Sequence, residues 1–298
     1  MIKDEKNWVL EDRLLPARRS DPALDYCLWP YDPPALSHCD SWQSSALLYH
    51  SFEIAGLCDK MISFCDALVA VNGSFQTVWG VKYAGGAFSW EFYFYDYFRL
   101  ERRFDTRSFI DATQGIVKTS APLSGDKIPY FMYSVELTDQ HFKGLAEIDQ
   151  FDLYVGNPGS SVSSGICYGL SETGIEMRNF YFFFNSKRHA HDIREKIRST
   201  CWIPAELLQM DDLVWRGMTP ETTVIANKRK NDSVYFSRIP VAQLTSFMKR
   251  LQFPDLLTGF LVENQGRFEH LLFDVGYDWL PNSEGSIEYP KGSYYGLL

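Results

Sequence analysis

Apolar and polar positions alternate with period two on both arms of the segment Gln76 to Tyr97, and the arms agree on which side is greasy. Gly85-Gly86 lies between them and suits a tight hairpin turn that needs positive φ. A two-residue turn there sets Lys82 opposite Ser89, Gly80 opposite Glu91 and Val78 opposite Tyr93. Trp79, Val81 and Tyr83 then meet Phe92, Trp90 and Phe88 on the other side. One face is strongly apolar; the other mixes small, tyrosyl and charged groups. A tyrosine-rich polar face bearing a Lys and a Glu reads as the lining of a chamber, although surface sheets alternate too.

Residues 1–40 form an irregular arm, broken by Pro16, Pro22, Pro30, Pro33 and Pro34, with Trp29, Tyr31 and Trp42 expected to pack it on the body. Helical spacing of Leu47, Leu48, Phe52, Ala55, Cys58, Met61, Ile62, Cys65 and Leu68 predicts one long helix over Ser41 to Val69. A second helix is expected from Asp96 to Ala112, with Arg99, Arg102, Arg103 and Arg107 on a solvated face. Strands follow at Pro129 to Leu137 and Asp149 to Val155, then a hairpin of Gly165 to Leu170 with Ile175 to Asn185. A charged helix buries Ile193 and Ile197. A third hairpin spans Thr223 to Ile239, turning at Asn231-Asp232. Pro240 suits the first position of a helix that turns Leu244, Phe247, Met248 and Leu251 inward, and Pro254 opens another. The last strands lie near Leu271 to Trp279 and Lys291 to Gly296.

Ten strands, mostly hairpins with helices on one side, require antiparallel pairing. They can form an open sheet with one wet face or a closed barrel with helices outside. Closure removes the exposed edges and leaves room for a ligand, so it is the preferred reading. The expectation is an α+β chain with the arm at 1–40 and one antiparallel barrel domain over 41–298.

Bulk properties narrow the function. Hydrophobic residues make up 45% and aromatics 16% of 298 residues, enough for a large core. A net charge of −9 argues against nucleic acid as a general partner. The opening Met1-Ile-Lys-Asp-Glu-Lys has no apolar leader, and no run is long enough to span a membrane, so a cytoplasmic location is expected. Cys27, Cys39, Cys58, Cys65, Cys167 and Cys201 have no paired spacing and read as reduced thiols. His189 and His191 point different ways, which disfavours a metal pair.

The hairpin registers name a lining: Lys82, Ser89, Glu91, Tyr93 and Tyr95 from the first, and Lys228, Tyr235 and Ser237 from the third, with Asn227, Arg229, Phe236 and Arg238 on the alternative face. In the second hairpin either Asn179 and Tyr181 or Arg178 and Phe180 face inward; the former is preferred. Lys291 and Tyr295 share a face of the last strand. Lysines in a low-dielectric cavity are costly without an anion, and a phosphate-bearing ligand supplies one. Tyrosine faces stabilise a carbocation by about 1–2 kcal/mol each when desolvated. Glu91, the one isolated carboxylate of this set, is the candidate catalytic proton acceptor. These parts suit ionisation of an allylic diphosphate. Each also has a plainer reading: Lys82 and Glu91 as a surface ion pair, Lys228 to Lys230 as an exposed tip, the tyrosines as core.

With those residues in place, the chain resembles the ABBA-type aromatic prenyltransferases, a family of ten-stranded antiparallel barrels ringed by helices. Met177-Arg178-Asn179-Phe180-Tyr181-Phe182 is similar to a family strand whose Asn and Tyr face the diphosphate, and Tyr289-Pro290-Lys291-Gly292-Ser293-Tyr294-Tyr295 to its last strand. The resemblance implies donor binding by Asn179, Tyr181, Lys291 and Tyr295, with Lys82 and Lys228 completing the diphosphate cradle, while Tyr93, Tyr181, Tyr235 and Tyr295 are the tyrosines expected to shield the cation. Glu91 would act on the acceptor. The implied donor is dimethylallyl, geranyl or farnesyl diphosphate, and the acceptor an aromatic small molecule or a peptide. Metal is optional in the family, so Mg2+ stays open; Asp274 and Asp278 could bind it, and a structural role is the simpler reading. Asp211-Asp212 is not the metal motif of the all-helical prenyl-diphosphate enzymes. The Pro-rich arm matches no family feature, and no arginine is assigned to the lining. A non-catalytic α+β protein that binds a ligand or a partner is the alternative. A hydrolase is a distant third, because Ser160, Ser161, Ser163 and Ser164 have no orienting His nearby.

Overall fold

Alternation of large apolar and smaller polar side chains over short segments gives ten strands, and antiparallel pairing of each with two neighbours closes them into a barrel. The computed structural model describes residues 10–123, 128–159 and 161–298. The opening hexapeptide and Ser160 lie outside the described residues, as does the Cys58 side chain. The strands are β1 (Thr77–Ala84), β2 (Ala87–Tyr95), β3 (Met132–Leu137), β4 (Gln150–Asn157), β5 (Ser163–Ser171), β6 (Gly174–Asn185), β7 (Thr222–Lys228), β8 (Asp232–Pro240), β9 (Leu272–Pro281) and β10 (Ile287–Leu297). Around the barrel each strand pairs with its sequence neighbours, and β10 closes on β1.

The first hairpin has the expected register, Lys82 with Ser89 and Gly80 with Glu91, and both turn glycines have positive φ (56° and 84°). The third does not turn at Asn231-Asp232. Asn227 pairs with Asp232 and Ala226 with Ser233, a register four residues from the expected one. The chain turns at Arg229-Lys230, where the Lys228 N–H bonds to the Asn231 carbonyl at 3.1 Å, and the Asn227 side chain donates to the Asp232 carboxylate at 3.0 Å. Because the slip is even, every residue keeps its face.

Eight helices occur among the described residues: α1 (Ser45–Ala55), α2 (Cys58–Asn72), α3 (Thr106–Thr113), α4 (Asp139–Phe142), α5 (Ala190–Arg198), α6 (Met210–Leu213), α7 (Val241–Arg250) and α8 (Asp255–Glu263). The single helix expected over Ser41 to Val69 is two, because Gly56 takes a left-handed cap (φ 67°) and its N–H bonds back to Phe52 and Glu53 carbonyls. The helix expected from Asp96 shrinks to α3. Asp105 caps α3 by accepting from the Ser108 N–H at 2.8 Å, and the preceding stretch turns tightly. Arg102 is not on a solvated face: it is buried against Asp96 and lies 3.5 Å over the Tyr130 ring. Ile193 and Ile197 of α5 are buried, as are Leu244, Phe247 and Met248 of α7.

Trp79, Val81, Trp90, Phe92, Phe94, Val275 and Tyr294 project outward from the barrel into one apolar layer shared with α1, α2 and α7. Burying these rings at about 25 cal/mol per Å² is the main drive for wrapping helices round the sheet. The arm crosses one end of the barrel: Pro16 bridges to Trp42 and Leu24 to Pro30. Cys27, Cys39, Cys65, Cys167 and Cys201 are free thiols. No described helix is long and apolar enough to cross a membrane.

Candidate functional site

Inward-facing residues sort into three levels. The middle level is a ring of five tyrosines: Tyr93, Tyr154, Tyr181, Tyr235 and Tyr295, one from each even-numbered strand. Their centroids run round a closed circuit at 6.4, 6.0, 6.4, 6.5 and 6.0 Å. Each tyrosine pairs across the sheet with a small residue on the next strand: Ser134, Cys167, Ala226, Gly276 and Gly80 in turn. Large residues on alternate strands with small ones between fill a barrel as a layer. The fit is tight, since a Cβ on Gly276 would fall 2.1 Å from the Tyr235 ring and one on Gly80 2.7 Å from Tyr295. Burial raises all five phenols, so they are neutral.

At one end of this ring lies the mouth, a cavity of about 380 Å³ lined by Lys82, Glu91, Glu136, Asp152, Asn179, Lys228, Asp278 and Lys291, among others. The predicted Lys82, Lys228, Asn179, Lys291 and Glu91 are thus brought together by five different strands. They are not short of anions. Lys82 pairs with Glu91 and with Glu136, the latter at 2.7 Å. Lys228 and Lys291 share Asp278 at 2.7 and 2.9 Å, and Ser233 donates to the same carboxylate.

Glu91 is therefore not an isolated carboxylate. Its oxygens accept from Lys82, from Tyr93 at 2.6 Å, from Ser134 and from Tyr154 at 3.4 Å. Burial works to raise its pKa, but Lys82 and the hydroxyl donors prevail and hold it below the usual value. With its lone pairs engaged it is a poor proton acceptor and a good anchor for Lys82. Lys82 is correspondingly held well above the ordinary lysine value: burial works against it, and Glu136 and Glu91 prevail. Lys291 goes the other way, lowered by burial and then by Lys228 and Lys82. A second anion would relieve it.

Asn179 and Tyr181 face inward, as preferred over Arg178 and Phe180; Asn179 donates to the Tyr181 hydroxyl at 2.9 Å. A bulge opposite Cys167 and Tyr168 also turns Arg178 to the mouth, where it donates to Gln150 at 2.7 Å. The lining therefore holds an arginine after all. Tyr154, Asp152, Glu136 and Asp278 complete the site. Alternation on β3, β4 and β9 carries the signal for all four, but placing them needs the register between strands that are not hairpin partners.

The third level lies beyond the ring and is apolar, with Val78, Tyr95, Met132, Phe183 and Val224 round a cavity of about 80 Å³. Tyr26 of the arm closes it. Tyr95 donates to the Tyr26 carbonyl, so it belongs to the plug and not to the lysines. Ser237 is also at this end, beside Asp274. Asp274 accepts the backbone N–H of Tyr26 at 2.8 Å and of Arg238 at 3.0 Å.

The acids do not fit Mg2+. Asp278 is engaged by two lysines, and Asp274 sits four strand residues away, roughly 13 Å, at the other end of the barrel. No three His, Cys, Asp or Glu side chains among the described residues are grouped to hold a metal. Compared with known proteins, the chain matches no protein-family model and no curated protein.

Proposed function

We propose that the barrel transfers a prenyl group from an allylic diphosphate to an aromatic or peptide acceptor, as ABBA-type prenyltransferases do. One observation carries the reading: two lysines sharing a single carboxylate stand at the mouth, directly above a ring of five neutral tyrosines. The diphosphate would lie at Lys228 and Lys291, with Asn179, on β6, next to Lys228 and Lys82, on β1, next to Lys291. Ammonium groups already aimed at the leaving oxygens stabilise the charge that develops as the allylic bond breaks. The cation left behind would face tyrosine π-clouds that carry no negative charge to capture it. Burial keeps those phenols protonated, so they shield without becoming nucleophiles. Glu91 would position Lys82 and the hydroxyls of Tyr93 and Tyr154.

Incubation with dimethylallyl, geranyl and farnesyl diphosphates and a panel of phenols, indoles and Tyr- or Trp-bearing peptides tests the reading by mass spectrometry. A product one prenyl unit heavier is expected, lost in Lys82→Ala and Lys291→Ala. No product with any donor, or activity intact in both variants, counts against it. A binding barrel without catalysis is the second reading, favoured because each of the three lysines already holds a carboxylate. It predicts that diphosphates leave the melting temperature unchanged.

A further inference from the structure

We infer that Asp152, and not Glu91, takes the acceptor's proton at the mouth of the barrel. The inference rests on the prenyl-transfer reading above. Counting the donors on each carboxylate that lines the mouth separates the candidates. Glu91 accepts from four groups. Glu136 holds Lys82 and the Ser89 hydroxyl. Asp278 holds Lys228, Lys291 and Ser233. Glu176 pairs with Arg229 on the exposed rim.

Asp152 differs from all of these. Its Oδ1 accepts from the Gln150 amide at 2.5 Å, and the Gln150 carbonyl is fixed in turn by Arg178 at 2.7 Å. Among the described residues no cation is within ion-pair distance of Asp152, and Oδ2 has no donor. Asp152 Oδ2 is thus an oriented yet uncommitted oxygen inside the mouth, on β4 two residues from the ring tyrosine Tyr154, whereas Glu176 is exposed and held by Arg229.

The titratable groups that face it are Glu91, Arg178 and Lys82, with Tyr154 and Cys167 on the adjoining wall. Burial, then the charge of Glu91, pushes the Asp152 carboxyl up to about 6. An acid of that strength is ionised at neutral pH and still basic enough to accept a proton in the transition state. Glu91, saturated with donors and held low, is ionised too but not basic enough to take the proton. Its charge serves instead to keep its neighbour basic.

The acceptor atom forms its bond to the allylic carbon as the carbon–oxygen bond to the diphosphate breaks. The bonding pair leaves with the diphosphate, which stays between Lys228 and Lys291. The acceptor's proton passes to Oδ2 of Asp152 and then to water at the mouth.

The test uses the full chain with dimethylallyl diphosphate and the acceptor panel above. Asp152→Asn is expected to bind the diphosphate within twofold of wild type and to lose about 10²-fold in kcat. The acidic limb of the wild-type rate profile, near pH 6, should vanish in that variant and move to lower pH, without vanishing, in Glu91→Gln, which removes the charge that helps to raise Asp152. An Asp152→Asn enzyme with wild-type rate and limb overturns the inference while leaving the prenyl-transfer reading standing. A wild-type protein inactive on every pair overturns that reading and this inference with it. A carboxyl-carbon NMR titration is independent of turnover: an Asp152 that titrates near the ordinary value of about 4 contradicts the role by itself.

Discussion

Asp278 restrains two buried ammonium groups at once, and its own acidity records this. Burial alone would raise it, yet Lys228 and Lys291 hold it well below the usual carboxylate range. The stability it contributes is therefore fully present above about pH 4, where the unfolded chain's Asp is ionised, and is lost as pH falls through the lowered folded value. Asp278→Asn leaves both lysines uncompensated, a loss of about 3–5 kcal/mol for a buried pair broken on one side. An added anion should take the carboxylate's place. Thermal melts with and without inorganic pyrophosphate check this: the variant should melt lower than wild type and gain more from pyrophosphate. Equal gains in the two proteins would show that the lysine pair is not an anion site.

The arm is the element whose role is least visible in its own sequence. Its Pro-rich run predicts only that it cannot be helical, whereas its function is to stopper the barrel. Asp25 pairs with Arg238, and Asp274 receives the Tyr26 and Arg238 amides. The Arg238 guanidinium is taken by Asp25 and Glu221, so Asp274 has no cation of its own among the described residues, and burial followed by the charge of Asp25 pushes it up to about 7. A folded pKa above the unfolded one means that this group favours the docked arm fully below about pH 4 and progressively less as pH rises through 7. Amide exchange across residues 24–31, corrected for its intrinsic pH dependence, should accelerate between about pH 4 and 7 and level off above. Asp274→Asn should flatten that response; an unchanged slope would contradict the mechanism. Other elements were legible or not for definite reasons. The first hairpin could be read to the residue because Gly85-Gly86 admits one tight turn. The third could not, since Arg229 to Asn231 leaves several loops open, and only the even slip kept Lys228 and Tyr235 on the inner face. Gly56 and Asp105 were the unread stop and start signals of the two misplaced helices.

At the scale of the whole molecule, three hairpins and four further alternating segments predict ten strands, and closure follows from the need to hide edges. What they do not predict is which residues from distant strands reach the same height. Tyr154 and Asp152 entered the site only when Met132 was paired with Tyr154 across β3 and β4, and Arg178 only through a bulge. The chemistry is layered by that stagger: charged mouth, tyrosine ring, apolar chamber, arm. Its most direct test is a crystal structure of the protein with dimethylallyl S-thiolodiphosphate, a donor analogue that does not ionise readily. The account predicts the diphosphate between Lys228 and Lys291 and the allylic carbon over the ring of Tyr93, Tyr154, Tyr181, Tyr235 and Tyr295. Diphosphate bound elsewhere, such as beneath the arm, or a mouth whose lysines keep their carboxylates and admit no ligand, would contradict it.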